Sequence, residues 1–481
     1  MSEFFVDFHC HPSLKPYGKS FGMGSPGENN SNRRKKNSVW FYDSPELFER
    51  GIQLFTGISK FTQADCTTLA YGNVRMVCAS LYPIEKGFFS NKLGTDAIGD
   101  LANDFVTGVS IERVNNIQET NDYFQDVQRE YEFYRQLDGE YVNTDAGKFK
   151  YILISSYKEI EDYEALNPND DKVIFIAISI EGLHALLTNM KDGPDEVSVL
   201  NNLKILKQWQ HVPYFVTVAH HFYNHLCGHA KSLYDIVGSV SDQSEGMGTG
   251  FTELGKKVLR EVLSSTNGKR IYIDIKHMSA QSRKEYFNFL GTDFAGEKIP
   301  VIVSHGAANG LRSMDEKVVD GLETGNKLLA EEINFYDNEI LMVAKTGGIF
   351  SLQLDERRLA SKTTLKNVKH SLFMNKIRHY RAELLWNQVQ HIAELLDKNN
   401  LFAWDCMAIG SDFDGVINPL NGFLTEETLQ HLQEYLERYV FNYMNDRGRT
   451  VLKSFNQIGP SEIVNRIFSG NGIEFMKKWF V

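Results

Sequence analysis

Two histidines separated by one residue, His9 and His11, end the first apolar run of the chain, FFVDFHCH. If extended backbone continues through them, both imidazoles face the same side. Two neutral ring nitrogens on one side can hold a divalent ion at about 2.0–2.1 Å. The pair alone is weak evidence, because histidines recur by chance. Other apolar runs, however, end in the same way. Glu181 closes VIFIAISIE, His220 closes FVTVAH, His277 closes IYIDIKH, His305 closes PVIVSH, and Asp412 and Asp414 follow MAIGS. A carboxylate at the end of an apolar strand is costly unless paired, and its two oxygens can bridge neighbouring ions. A salt-bridged acid is the plainer reading of Glu181, and a satisfied core histidine that of His277 or His305 taken singly. Two successive strand-end histidines favour ligation, so His9, His11, Glu181, His277 and His305 are expected to form a two-metal site whose chemistry is metal-assisted hydrolysis.

His220 is expected to face inward, while His221, His225 and His229 are expected on a loop or at the surface. Their spacing fits neither a zinc finger nor HExxH. In GSDFDG the glycines permit a tight exit from the strand, and Asp412 and Asp414 alternate to one face. Asp412, nearer the strand core, is the better general acid or base, and the oxygen ligands that a calcium loop would need are missing.

Eight short apolar runs must position these residues: 4–9, 74–82, 173–182, 213–220, 271–277, 300–305, 347–354 and 407–414. Near-continuous apolar strands suit a parallel sheet covered on both faces. Helical patterns separate the runs, as at 252–263, 382–397 and 425–440. Repeated βα units of this number predict an α/β fold, a (β/α)8 TIM barrel with long insertions after strands 1 and 2, in which function collects at the C-terminal strand ends. Residues 1–481 are therefore read as one metal-dependent hydrolase barrel. Within it, 18–40, rich in Gly, Ser and Asn, is expected to be a mobile loop insertion. Residues 83–171 are expected to be a helical insertion between strands 2 and 3, acting as a lid or as a subunit contact in a homo-oligomer.

The formal charge of −11, with dispersed basic residues, argues against nucleic-acid partners. Five cysteines without a CxxC pair exclude a disulfide framework or a thiolate zinc site as the organising feature. No apolar run approaches the roughly 20 residues that a membrane span needs. The first residues lack the pattern of a signal peptide, so a cytoplasmic location is expected.

The segments DFHCH, SIEGLHAL, VTVAHHFYN, IYIDIKHMS, PVIVSHGAA, AKTGGIFSL and AIGSDFDGV together resemble the membrane (renal) dipeptidase family of zinc peptidases, in that family's order. The resemblance implies a binuclear zinc site in which His9 and the residue at 11 bind one ion, His277 and His305 the other, and Glu181 bridges. It also implies that His220 contacts the substrate or the tetrahedral intermediate, and that Asp412 orients the bridging water or handles its proton. A dipeptide or related small amide is the implied substrate.

Two departures stand out. Where the family has HxD this chain has His9 and His11, and Ile333 stands where a substrate-binding arginine is expected. Arg312, seven residues after His305, or Arg357 or Arg358 beyond strand 7, are the candidates to replace that arginine. With none at the family position, activity is expected to depend less on a free C-terminal carboxylate. An amidohydrolase or lactonase acting on a non-peptide substrate is the alternative enzyme, and a catalytically silent metal-binding scaffold the alternative from another class.

Overall fold

Apolar strands close on themselves here because each buries both faces, one against the barrel interior and one against a surrounding helix. The computed structural model describes residues 4–23, 38–45, 61–88, 108–188, 193–233, 241–319, 321–446 and 452–481. Strand β1 (Phe5–Cys10) pairs with β2 (Val74–Leu81) on one edge and β10 (Met407–Ile409) on the other. From β10 the sheet runs through β9 (Ile349–Leu352), β8 (Ile302–Gly306), β7 (Tyr272–Asp274) and β6 (Phe215–Thr217) to β5 (Val173–Glu181). Pairing of β5 with β2 completes the circle, and every one of these pairings is parallel. The fold is a (β/α)8 TIM barrel, and its eight staves overlap the eight apolar runs of the sequence, β1 and β8 extending one residue beyond theirs.

Two further strands, β3 (Val142–Thr144) and β4 (Gly147–Ile154), form a hairpin within 83–171. Lys150–Ile154 of β4 pair in parallel with Val173–Ala177, while β6 pairs only with Ile180 and Glu181. Strand β4 thus fills the N-terminal half of the edge of β5, below the point where β6 joins. The described part of 83–171 also carries the helices Ile111–Glu119, Tyr123–Arg135 and Tyr157–Leu166, so it is a mixed rather than a purely helical excursion. Residues 89–107 of it lie outside the described residues.

The segment 18–40 continues from a helix, Leu14–Ser20, and a 3-10 turn, Phe21–Met23. At its far end Val39 and Trp40 are buried, and Thr67 Oγ1 donates to the Trp40 carbonyl at 2.8 Å. Residues 24–37, where most of the expected loop lies, are outside the described residues.

Among the outer helices, Glu253–Leu263 begins where Thr252 accepts the Gly255 amide at 2.9 Å, and it buries Val258, Leu259, Val262 and Leu263. The helix Met374–Lys398 starts a full two turns earlier than the 382–397 pattern suggests, because its first turns are exposed and carry no apolar stripe. All five cysteines are buried and unpaired. Among the described residues no helix is long and apolar enough to cross a membrane.

Candidate metal centre

Glu181, the last residue of β5, is the hub of the site. Its Oε1 lies 3.2 Å from His277 Nε2 and 3.5 Å from both His9 Nε2 and His305 Nε2. Its Oε2 lies 3.1 Å from His11 Nε2 and 3.5 Å from His220 Nε2. Asp412 approaches from the β10 side, its Oδ1 3.8 Å from His9 Nε2 and 3.7 Å from His11 Nε2, its Oδ2 3.9 Å from His305 Nε2. The five expected ligands, together with His220 and Asp412, are thereby brought to the C-terminal mouth of the barrel.

The donor set fits divalent cations. His9 Nε2, both ring nitrogens of His11, and Glu181 Oε1 are buried without a hydrogen-bond partner. Leaving such an atom unsatisfied costs roughly 1–3 kcal/mol, so several of them converging on one carboxylate need an acceptor of lone pairs. His277 Nε2 and His305 Nε2 face each other at 3.3 Å, which suits two lone pairs directed at a shared cation. The ligand atoms of His9, Glu181 and His305, and those of His9, His11 and Asp412, each lie within 4.8 Å of one another.

Burial, aided by the positive charge of His220 for one ring and of His9 and Lys276 for the other, holds His277 and His305 well below the ordinary histidine range. They are neutral imidazoles, the form that binds metal. At His220 burial is outweighed by the charges of Glu85 and Glu181, which raise its pKa and favour the imidazolium. Burial lifts Asp412 above the usual carboxylate range.

Beneath the histidines lies a polar layer that the sequence reading did not single out. Asp274 accepts Ser304 Oγ at 2.6 Å and Thr217 Oγ1 at 2.9 Å. Ser304 Oγ in turn lies 2.9 Å from His305 Nδ1 and 3.3 Å from His9 Nδ1, which fixes how both rings are turned. Asp7 accepts the His9 and Ser411 amides at 3.0 and 2.9 Å, tying β1 to the turn that carries Asp412. The signal was available, since Asp7 and Asp274 are acids inside otherwise apolar runs.

Glu85, four residues beyond β2, was also missed. Its Oε2 is 2.9 Å from His220 Nδ1 and accepts the Tyr82 hydroxyl at 2.6 Å. Its Oε1 accepts the His221 and Phe222 amides at 3.1 and 3.3 Å. Burial opposes the charge on Glu85, but His220 and His184 outweigh it and hold the carboxyl far below its usual range. No local pattern announces this residue, because its partner is 135 positions away.

Three expectations change. Asp414 does not share the face of Asp412: it binds Lys15 Nζ at 2.8 Å and the amides of Gln63 and Ala64, each at 3.0 Å. Both aspartates have positive φ, 61° and 66°, so the chain turns and strand alternation no longer holds. His229 is buried rather than at the surface, with Nε2 2.9 Å from the Glu245 carbonyl. His221, expected on a loop or at the surface, does lie on a loop, but one that borders the site, with its ring 5.2 Å from that of His277 and ligand atoms grouped with those of His220 and His277.

The basic candidates separate in the same way. Arg312 is exposed and pairs with Glu316 at 2.6 Å. Arg357 forks onto Asp355, with Nη2 2.7 Å from Oδ2. Arg358 donates Nη2 to the Ser232 carbonyl. Lys276, which the sequence reading passed over, is buried, and burial followed by the charge of Arg358 brings its pKa down to about 7. Beside Glu181, His11, His220 and His221 the mouth opens into a pocket with apolar walls of Leu14, Tyr82, Ile84, Phe88 and Val416.

The family described as membrane dipeptidase, peptidase family M19, matches residues 58–448. No curated protein matches the chain. Among solved structures, a metallo peptidase from Rhodobacter sphaeroides, liganded with a phosphinate mimic of the dipeptide L-Ala-D-Ala, is 12% identical with a TM-score of 0.53 over 100% of both chains. A metallo peptidase of family M19 described as dipeptidase AC is 11% identical, with a TM-score of 0.54 over 100% of both chains. At such identities the likeness is one of fold.

Proposed function

The chain belongs to the membrane dipeptidase family, peptidase family M19, and we propose that it hydrolyses dipeptides or related small amides at a binuclear metal site, with zinc as the resident ion. The observation that carries this reading is the set of partnerless imidazole nitrogens around Glu181, with Asp412 beside them. His9 and His11 would hold one ion, His277 and His305 the other, and Glu181 would bridge. Ions bound there would polarise the scissile carbonyl and make water a nucleophile near neutral pH.

The protein's own groups do the rest. Asp412 accepts the proton of the attacking water and returns it to the leaving amine. His220, with Nδ1 engaged by Glu85, presents Nε2 towards the cluster and donates to the developing oxyanion. His277 and Asp412 sit at positive φ, 64° and 61°, a sparsely populated conformation that aims each side chain back over the barrel mouth.

Elemental analysis of gently purified protein is expected to approach two equivalents of a divalent metal per chain, and the loaded protein to cleave dipeptides in a panel that also holds N-acyl amino acids and lactones. Absence of metal together with failure to take any up on reconstitution would refute the site. Turnover of lactones in preference to dipeptides would favour the amidohydrolase or lactonase reading, which a histidine at position 11 in place of an anionic ligand supports.

Glu85 offers a second test. Glu85→Gln keeps the shape but removes the charge that favours the His220 imidazolium, so kcat is expected to fall about 10–100-fold, as for other outer supports of a metal site. Without Glu85 the pKa of His220 falls, so the loss should deepen as pH rises. Metal content should be unchanged. Wild-type kcat across the whole pH profile would remove Glu85 from the mechanism.

A further inference from the structure

A cavity of about 200 Å³ lies outside the barrel, where the helix Met374–Lys398 packs against the helix Leu429–Asn445. It shares no lining residue with the pocket at the barrel mouth. Glu383, Trp386, Asn387 and Gln390 line it at helical spacing, so one stripe of the first helix faces the space. Trp386, Asn387 and Gln390 are each more than nine-tenths buried. A buried stripe is ordinarily apolar, and this one carries amides and an indole N–H.

Neighbours on the same helix show how such groups are otherwise satisfied. Gln388 Oε1 accepts the Ala308 amide at 2.7 Å, and its Nε2 donates to the Leu359 carbonyl at 2.7 Å. His391 engages both ring nitrogens, one on Thr324 Oγ1 at 3.1 Å and the other on Asp337 Oδ1 at 2.8 Å. The cavity residues are only half used. Asn387 Oδ1 accepts Lys327 Nζ at 3.3 Å, and Gln390 Nε2 donates to Glu394 Oε1 at 2.8 Å. Asn387 Nδ2, Gln390 Oε1 and Trp386 Nε1 take no partner among the described residues, and they open on the cavity rather than being sealed in the core. Buried polar groups nearly always find partners, so three left over on one wall call for an occupant that supplies them.

The rim sets the charge of that occupant. Glu323 and Glu383 are exposed carboxylates that form no ion pair with a described residue, and with Asp446 they outnumber the one base, Lys327. The rim is also fixed in advance, because Thr324, beside Glu323, is held by His391. In size the cavity falls below the roughly 300–1,000 Å³ of sites for drug-sized ligands, which suits one molecule as small as an amino acid.

We propose that this cavity binds a free basic amino acid. Its α-carboxylate meets Lys327, Asn387 Nδ2 and Trp386 Nε1, its α-ammonium meets Gln390 Oε1, and its side-chain cation meets Glu323 and Glu383. The aliphatic stem lies against the rings of Trp386 and Tyr443, whose centroids are 5.4 Å apart. Every unused group of the wall thereby gains a partner of opposite polarity, and bonds to ionised groups are the strong ones. This holds whatever the metal centre cleaves.

Calorimetric titration of the metal-loaded protein with L-arginine, L-citrulline and agmatine tests it. Citrulline puts a neutral group of the same shape in place of the guanidinium, and agmatine lacks the carboxylate. Each should bind about tenfold or more weakly than L-arginine, as loss of a charged hydrogen bond requires. In the double variant Glu323→Gln/Glu383→Gln, L-arginine should bind no better than citrulline. In Asn387→Leu it should lose most of its advantage over agmatine. Metal content and turnover of both variants should match wild type, since none of these residues touches the metal centre. Absence of L-arginine binding, equal binding of the three compounds, or wild-type affinity in the double variant would overturn the proposal. The double variant alters only exposed side chains, so it decides the matter even if Asn387→Leu fails to fold.

Discussion

Asp412→Asn is expected to keep its metal and lose most of its turnover. The amide is nearly isosteric with the carboxylate, so the turn after β10 and the approach to His9, His11 and His305 should persist. What it cannot do is accept a proton from water and pass it to the departing amine. General acid and base groups contribute about 10²–10⁴-fold, and kcat should fall by that order. Burial already lifts the Asp412 carboxyl above its ordinary range, which moves it towards the pH at which a group both accepts and returns a proton. Steady-state kinetics with elemental analysis on the same preparation checks this. A variant with near-normal kcat would assign proton transfer to another group, and one that has lost its metal would make Asp412 a ligand instead.

The second large effect is expected at the hub. In Glu181→Gln the single carboxylate that faces His9, His11, His220, His277 and His305 becomes a neutral amide with one acceptor oxygen. Affinity for the ions should fall by on the order of 100-fold or more, because ligand charge is a main determinant of divalent-cation binding. Two readings follow from mass action. Wild type should melt at a higher temperature when metal is added, and the variant should lose that rise. The metal-free proteins differ as well. Charge interactions with His220 and His9 and the close approach of His11 and His277 overcome burial and hold Glu181 well below its usual pKa. Its contribution to stability is therefore present above the unfolded-state value of about 4.3 and lost as pH falls towards the folded-state value. The metal-free variant should show less loss of stability than metal-free wild type as the pH falls below about 4.3. Full loading of Glu181→Gln at wild-type affinity would exclude Glu181 as a ligand.

The barrel was legible because its staves lie in near-continuous apolar runs, a pattern that suits a sheet buried on both faces. Strand β4 escaped notice because GKFKYILI is half polar, with its lysines outward, and because it pairs with only part of β5. The proposed ligands were legible for a related reason. His9, Glu181 and His305 each close or nearly close a stave, and a polar residue at such a place stands out against its neighbours. His220, His277 and Asp412 lie three residues past the observed ends of β6, β7 and β10. Their membership could be named from the sequence, but their direction could not.

By itself the sequence determined what local chemistry determines: the number of staves, the residues that end them, and hence a candidate hydrolytic metal site at one mouth of a barrel. Tertiary structure decided the rest. That Asp412 enters the site while Asp414 turns to Lys15 depends on two positive φ angles. That Glu85 sets the charge of His220 depends on a contact across 135 residues. That Lys276 is buried, rather than solvated as a lysine ordinarily is, depends on which way the chain leaves β7. Periodicity along the chain reports burial, because burial is a property of each residue against solvent. Partnership and charge state are properties of pairs, and pairs distant in sequence become neighbours only once the barrel has closed.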